Sequence, residues 1–151
     1  MNIEEEIKIV PMIGNIKIKD EGIIEEAELE FAPGLNIIVG SNASGKTTVL
    51  NSIEKQSDHI WSLEQLKASS AASEKIMLSL IGITQTPIHK CFLIDNLIER
   101  LSRDKVKILL QELERTKNQI IITASNYVEI SKIKANIIDT KDFKLKRIGK
   151  K

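Results

Sequence analysis

Aromatic residues are scarce in this chain of 151 residues: three Phe, one Tyr and one Trp. Isoleucine carries most of the apolar work instead. There is a single cysteine, Cys91, which excludes an internal disulfide and any multi-cysteine metal site. It lies in an apolar run, so a buried small hydrophobe is expected. His59 and His89 have no partner at metal-ligand spacing and read as surface or loop residues. No apolar run is long enough to cross a bilayer, and no signal peptide is read. A cytoplasmic protein without a membrane partner is the expectation. Net charge is +1, so no bulk field draws the chain to nucleic acid or membrane. No internal repeat, low-complexity segment or heptad run stands out.

What is present suits one folded domain over residues 1–151: 42% apolar residues for a core and 28% charged residues for a surface. The charge is uneven. Residues 1–30 are acidic, and the tail carries Lys141, Lys144, Lys146, Arg147, Lys150 and Lys151. The tail could contact phosphate backbones, although a solvated terminus has the same composition.

The first third reads as strands. Residues 7–10 and 16–18 are Ile-rich, with Gly14-Asn15 able to turn the chain between them. Residues 23–31 alternate, with Ala27, Leu29 and Phe31 opposite Glu26, Glu28 and Glu30. That period of two predicts a strand with one wet face. Pro33-Gly34 is a turn signal, and Leu35 to Val39 reads as a buried parallel strand. Lys46 to about Gln56 should be helix.

Within residues 57–70 a short helix is expected around Trp61 to Leu66, with Trp61 a packing anchor. A helix is expected over 71–81, ending near Gly82, then a loop over 84–90. Cys91 to Ile94 reads as a second buried strand. Ser102 should cap a helix to about Thr116, in which Val106, Leu109, Leu110 and Leu113 share a face. Gln119 to Thr123 reads as a third buried strand and residues 126–133 as a helix. Ile137-Ile138 and 143–148 read as short final strands. Alternating strand and helix after residue 35 implies an α/β layer with a mainly parallel sheet flanked by helices. The strand-rich start implies an added N-terminal antiparallel subdomain.

Gly40-Ser41-Asn42-Ala43-Ser44-Gly45-Lys46-Thr47 matches G-x-x-x-x-G-K-[ST], between an apolar strand and a helix. Phosphate oxygens need several backbone N–H groups converging on one point. Glycines permit that path, and the helix start adds partial positive charge. Asn42, Ala43, Ser44, Gly45, Lys46, Thr47 and Thr48 are therefore the expected nucleotide contacts. Lys46 supplies a cation for the β- and γ-phosphates, and Thr47 a hydroxyl for Mg²⁺. Such a loop needs a second acid for the magnesium shell. Asp95, ending the run Cys91-Phe92-Leu93-Ile94, is the expected one, because a buried strand delivers its last residue to the ligand-binding edge of a sheet.

The run from Phe31 to Gly40, entering this loop, resembles the start of ABC-type ATPase heads of the SMC and RecF-like kind. The resemblance extends over most of the chain. Ile16 to Phe31 looks like the family's N-terminal β-subdomain, and Phe92 to Asp95 like its Walker B strand. Ser69 to Leu80 sits where the signature and its helix fall, so Ser70 and Ser73 are implied phosphate contacts. Leu101 to Asp104 falls at the D-loop. Ile120 to Ser125 resembles the strand leading to the switch histidine. In that family two heads sandwich two ATP molecules, which implies a homodimer, or the head of a heteromeric assembly, around MgATP.

The departures are specific. The residue after Asp95 is Asn96, not the family's catalytic Glu, and Ser125 replaces the switch His. An amide can orient water but not take its proton. Asn96 and Ser125 would thus occupy the catalytic positions of a slow ATPase. The signature is degenerate, Ser70-Ala71-Ala72-Ser73-Glu74-Lys75. No Q-loop glutamine is evident, with Gln56 and Gln65 weak matches. The coiled coil is missing, and 57–70 would be a reduced helical lobe or linker. A role in DNA maintenance follows by family analogy alone. Two other readings remain: a non-hydrolysing nucleotide-sensing or assembly module, and a small-molecule kinase. The kinase is disfavoured because Arg100, Arg103, Arg115 and Arg147 form no obvious lid cluster.

Overall fold

The computed structural model describes residues 13–41, 44–56, 60–62, 82, 91–94, 101–116, 118–125 and 133–146. Eight strands and two helices of at least three turns lie among them. Strands β1 (Asn15–Glu21), β2 (Ile24–Glu30) and β3 (Leu35–Val39) come first, followed by helix α1 (Lys46–Gln56). Strands β4 (Ile60–Ser62) and β5 (Cys91–Ile94) precede helix α2 (Arg103–Leu113). Strands β6 (Gln119–Ala124), β7 (Asn136–Asp139) and β8 (Lys144–Leu145) complete the order, with a 3₁₀ turn (Thr140–Asp142) between the last two.

Five strands form one sheet in the order β4-β5-β6-β3-β7, and every neighbouring pair is parallel. Strands β3, β5 and β6 are buried along their whole length. Their largely apolar composition, interrupted by Asn36, Gln119 and Thr123, reflects layers on both faces. Alternation sends Leu35, Ile37, Val39, Phe92, Ile94, Ile120 and Ile122 to the side packed by α2. Ile38, Leu93, Cys91 and Ile121 face the opposite side, against Val49, Leu50 and Ile53 of α1 and the apolar face of the small sheet. Helix α2 behaves as its pattern requires: Val106, Leu109, Leu110 and Leu113 are all buried. Ser102 caps it, its hydroxyl accepting from the Lys105 amide at 3.3 Å.

The small sheet, in the order β1-β2-β8, is antiparallel. Ile16, Ile18, Ile24, Ala27 and Leu29 face inward. On the outer face Lys17 stands opposite Glu28 and Lys19 opposite Glu26, so the acidic strand face is solvated and offset by its neighbour's lysines. Gly22 and Ile23 make the β1–β2 turn, with positive φ at Gly22 and at Asp20 just before the end of β1.

Two expectations change. Ile60–Ser62 is a strand, paired in parallel with Cys91–Leu93, where a helix was expected around Trp61 to Leu66. A three-residue run carries no usable period, and pairing with the edge of β5 decides it. Of the strand expected over 143–148, Lys144–Leu145 is strand and Phe143 instead closes the 3₁₀ turn, its amide donating to the Thr140 carbonyl at 3.0 Å, while 147–148 lie outside the described residues. Gly82 is helical, as expected of the end of that helix. The strand expected over 7–10, most of the helix over 71–81, the loop over 84–90 and most of the helix over 126–133 lie outside the described residues.

Candidate nucleotide-binding site

The site begins with β3, whose five residues are buried on both faces. At its carboxyl end Gly40 leaves the sheet but stays tied to β6, its amide donating to the Ala124 carbonyl at 3.1 Å. Ser44 folds back, its hydroxyl donating to the Ser41 carbonyl at 2.6 Å. Gly45 has φ +104°, a conformation that side-chain-bearing residues rarely adopt. Helix α1 starts there, with the Val49 amide donating to the Gly45 carbonyl at 3.0 Å. Its first turn has no acidic residue, so the partial positive charge of the helix start is not offset.

Lys46 lies back over the loop. Its ammonium donates to the carbonyls of Gly40 and, at 3.3 Å, of Ser41. Thr47 is exposed and Thr48 half-buried. With Ile23, residues Gly45 to Thr48 line a shallow cleft of about 160 Å³. The arrangement suits an anion: a helix start and the Lys46 ammonium at one edge of a sheet.

Both glycines are also dictated by packing. A methyl built on Gly40 would overlap Thr140 Oγ1 and stand 2.6 Å from Ser44 Oγ. One on Gly45 would stand 3.1 Å from Ile24 Cγ1 and 3.7 Å from Phe143 Cδ2. Ile24, Thr140 and Phe143 therefore support the loop. The G-x-x-x-x-G spacing signals close approach, but nothing in the sequence says that residues a hundred positions later supply it.

The topology gathers the remaining positions. Strand β6 lies between β3 and β5, with Val39 in register with Ala124 and Ile94 in register with Ile122. All three strands point the same way, so their carboxyl ends share one edge. Ser125 is exposed immediately after Ala124, the residue that holds Gly40. Ser44, Gly45, Lys46, Thr47, Thr48 and Ser125 are thus brought to one edge of the sheet. Asn42, Ala43, Asp95, Asn96, Ser70 and Ser73 lie outside the described residues, as do Gln65 and the side chain of Gln56. Among the described residues no three His, Cys, Asp or Glu side chains converge on a metal position. A magnesium ion held by one hydroxyl, phosphate oxygens and water needs no such cluster.

Two titratable groups deserve a physical account. Glu21 joins β1 to α1: Ser52 donates its hydroxyl to one carboxylate oxygen, and Lys55 pairs with the other at 3.1 Å. The Ser52 hydrogen bond and then Lys55 hold the carboxyl below its ordinary value. Cys91 is fully buried, and burial alone pushes its thiol up to about 12, as befits a core residue rather than a nucleophile.

The sequence model of a family described as "AAA domain" matches residues 15–146. The "DNA replication and repair protein RecF" of Lactobacillus johnsonii is 28% identical over 120 residues, covering 79% of this chain and 31% of that protein. RecF of Edwardsiella ictaluri is 58% identical over 36 residues, covering 24% of this chain and 10% of its own length. The chain thus spans a third or less of the curated relatives it matches. Among solved structures, "Replication initiator DnaA bound to AMPPCP and single-stranded DNA" aligns with a TM-score of 0.44 at 13% identity, covering 70% of this chain and 40% of that one.

Proposed function

The chain belongs to the AAA domain family, and from that premise we propose that it is an SMC/RecF-like P-loop ATPase that binds MgATP at Gly40 to Thr47, dimerises around it and hydrolyses it slowly. The observation that carries this reading is the loop itself, tied to the carboxyl edge of the sheet at Gly40 and opening α1 at Gly45, with Lys46 over its carbonyls. When a nucleotide enters, Lys46 exchanges those carbonyls for β- and γ-phosphate oxygens. Thr47, exposed at the helix start, offers its hydroxyl to Mg²⁺, with Asp95 as its outer-shell acid. Ser70 and Ser73 would reach the nucleotide of the facing subunit. The relatives named for DNA replication and repair favour a cytoplasmic role in DNA maintenance, with nucleic acid or a larger assembly as partner.

The test of the site is calorimetric titration of MgATP into the wild-type chain and Lys46→Ala. Removing the ammonium should weaken binding by at least about 100-fold, the scale of a lost charge-assisted contact to phosphate. Unchanged affinity in that variant would sink the site.

A second reading is a sensing or assembly module that holds ATP without meaningful turnover. Asn96 and Ser125 favour it, since neither can take a proton from water at neutral pH. Asn96→Glu separates the two readings. For a slow ATPase, steady-state turnover should rise by about tenfold or more over a measurable wild-type rate. Hydrolysis that appears only in the variant would identify the natural chain as a holder of ATP. No change in either would show that Asn96 is not the catalytic position.

A further inference from the structure

One short stretch after β7 touches the phosphate-binding loop at both of its glycines. Thr140, 5% exposed, is wedged against Gly40, its Oγ1 occupying the space a Cβ of Gly40 would need and its Cγ2 only 2.8 Å from that point. Three residues on, Phe143 packs on Gly45 beside Ile24. The Lys146 amide then donates to the Ile23 carbonyl at 2.8 Å, at the turn that lines the cleft with Gly45 to Thr48. The turn itself is held: Asp139 Oδ1 accepts from the Lys141 amide at 2.9 Å, and the Phe143 amide donates to the Thr140 carbonyl at 3.0 Å. Register places Asp139 beside Val39, so Thr140 follows β7 at the level where Gly40 follows β3.

We propose that Thr140 is a positioning residue for the phosphate-binding loop, setting the height of Gly40 above the sheet and, through it, the anchorage of Lys46. The route is short. Lys46 donates to the Gly40 and Ser41 carbonyls, and Ser44 donates to the same Ser41 carbonyl. A shift of Gly40 therefore moves the point from which the Lys46 ammonium reaches for phosphate. Lysine in such a loop reaches the β- and γ-phosphates, while backbone N–H groups cradle the α- and β-phosphates. Loss of the Thr140 wedge consequently weakens ATP more than ADP. A small displacement of a charged contact in a preorganised site is costly, whereas general destabilisation weakens both nucleotides together.

The inference rests on the reading of Gly40 to Thr47 as a nucleotide site, and the two can fail separately. MgATP and MgADP are titrated into the full chain as wild type, Thr140→Ala and Thr140→Ser, with thermal unfolding recorded for each. Thr140→Ala should lose about tenfold in MgATP affinity and about twofold in MgADP affinity. Thr140→Ser, which keeps the oxygen nearest Gly40, should stay within about threefold of wild type for both. Gly40→Ala, whose new methyl meets Thr140, should weaken binding, and adding Thr140→Gly should recover part of that loss. Equal affinities in wild type and Thr140→Ala would overturn the proposal, as would equal loss of ATP and ADP in step with a lower melting temperature. A wild-type chain that binds neither nucleotide would overturn the site reading itself, before any variant is made.

Discussion

Asn36 has none of its surface exposed, yet every arm of its amide is used. Its Oδ1 accepts from the Ala32 amide and from Asn136 Nδ2, each at 2.8 Å. Its Nδ2 donates to the carbonyls of Ala32 at 2.9 Å and Gly34 at 3.2 Å. One side chain thus folds the Pro33-Gly34 turn onto β3 and ties β3 to β7, the two strands that deliver Gly40 and Thr140. Asn36→Leu keeps the branched outline, at greater bulk, but strands the Ala32 amide, while Asn136 retains its bond to the Glu30 carbonyl at 2.8 Å. A buried polar group left without a partner costs about 1–3 kcal/mol. The variant should lose about 2–3 kcal/mol in urea unfolding, and a loss below about 0.5 kcal/mol would remove Asn36 from this role. Gln119 does similar work at the same end of the sheet on the neighbouring strand, accepting from the Ile13 amide at 3.0 Å and donating to its carbonyl at 2.7 Å.

At the scale of elements, α1 is held from below by the small sheet. Glu21 at the end of β1 binds Ser52 and Lys55 on α1, and Gly22 is so close to the helix that a Cβ there would stand 2.7 Å from Thr48 Oγ1. The Glu21 carboxyl is held below its ordinary value of 4.5, first by the Ser52 hydrogen bond and then by Lys55. Folding therefore favours the ionised form. Its contribution is fully present above pH 4.5 and is lost as pH falls through the lower folded value. Glu21→Gln should lower the melting temperature at pH 7, and the gap to wild type should narrow as pH falls below 4.5 and through the lower folded value. A gap that does not change with pH would mean that the carboxylate charge is not what joins the two elements.

These elements were legible to different degrees, for physical reasons. Residues 24–30 and 103–113 bury one face each, so their periods of two and 3.6 stand out in the sequence. Cys91–Ile94 lies between two layers and reads as an unbroken apolar run, and Leu35–Val39 and Gln119–Ala124 as mostly apolar ones, with Asn36, Gln119 and Thr123 buried among them. Ile60–Ser62 has too few residues for a period, and its strand state comes from a neighbour thirty residues away. The phosphate loop was legible because its dihedrals demand glycine at fixed positions. Its supports were not, because Thr140 and Phe143 reach it through the fold, and an isolated Thr or Phe carries no sign of what it will touch. The placement of Ser125 at the edge beside the loop follows from β6 lying between β3 and β5, and strand order is not written in local pattern.

At the scale of the whole molecule, three parallel strands carry the loop, Ser125 and the run ending in Ile94 to one edge of the sheet. The small sheet braces that edge through Ile24. In the proposed account the edge is half of a site. In that account Asn96 and Ser125 would keep turnover slow, so an ATP-bound pair should persist long enough to observe. Among the described residues, no helix is long and apolar enough to cross a membrane. The most direct measurement is therefore molar mass in solution by light scattering, with and without saturating MgATP, on the wild type and Lys46→Ala. The account predicts that the wild-type mass doubles from 17.0 kDa with MgATP and that Lys46→Ala stays at 17.0 kDa in both conditions. A wild-type mass that ignores MgATP, with binding confirmed by calorimetry, would contradict the ATP-closed dimer and leave a nucleotide-sensing module in its place.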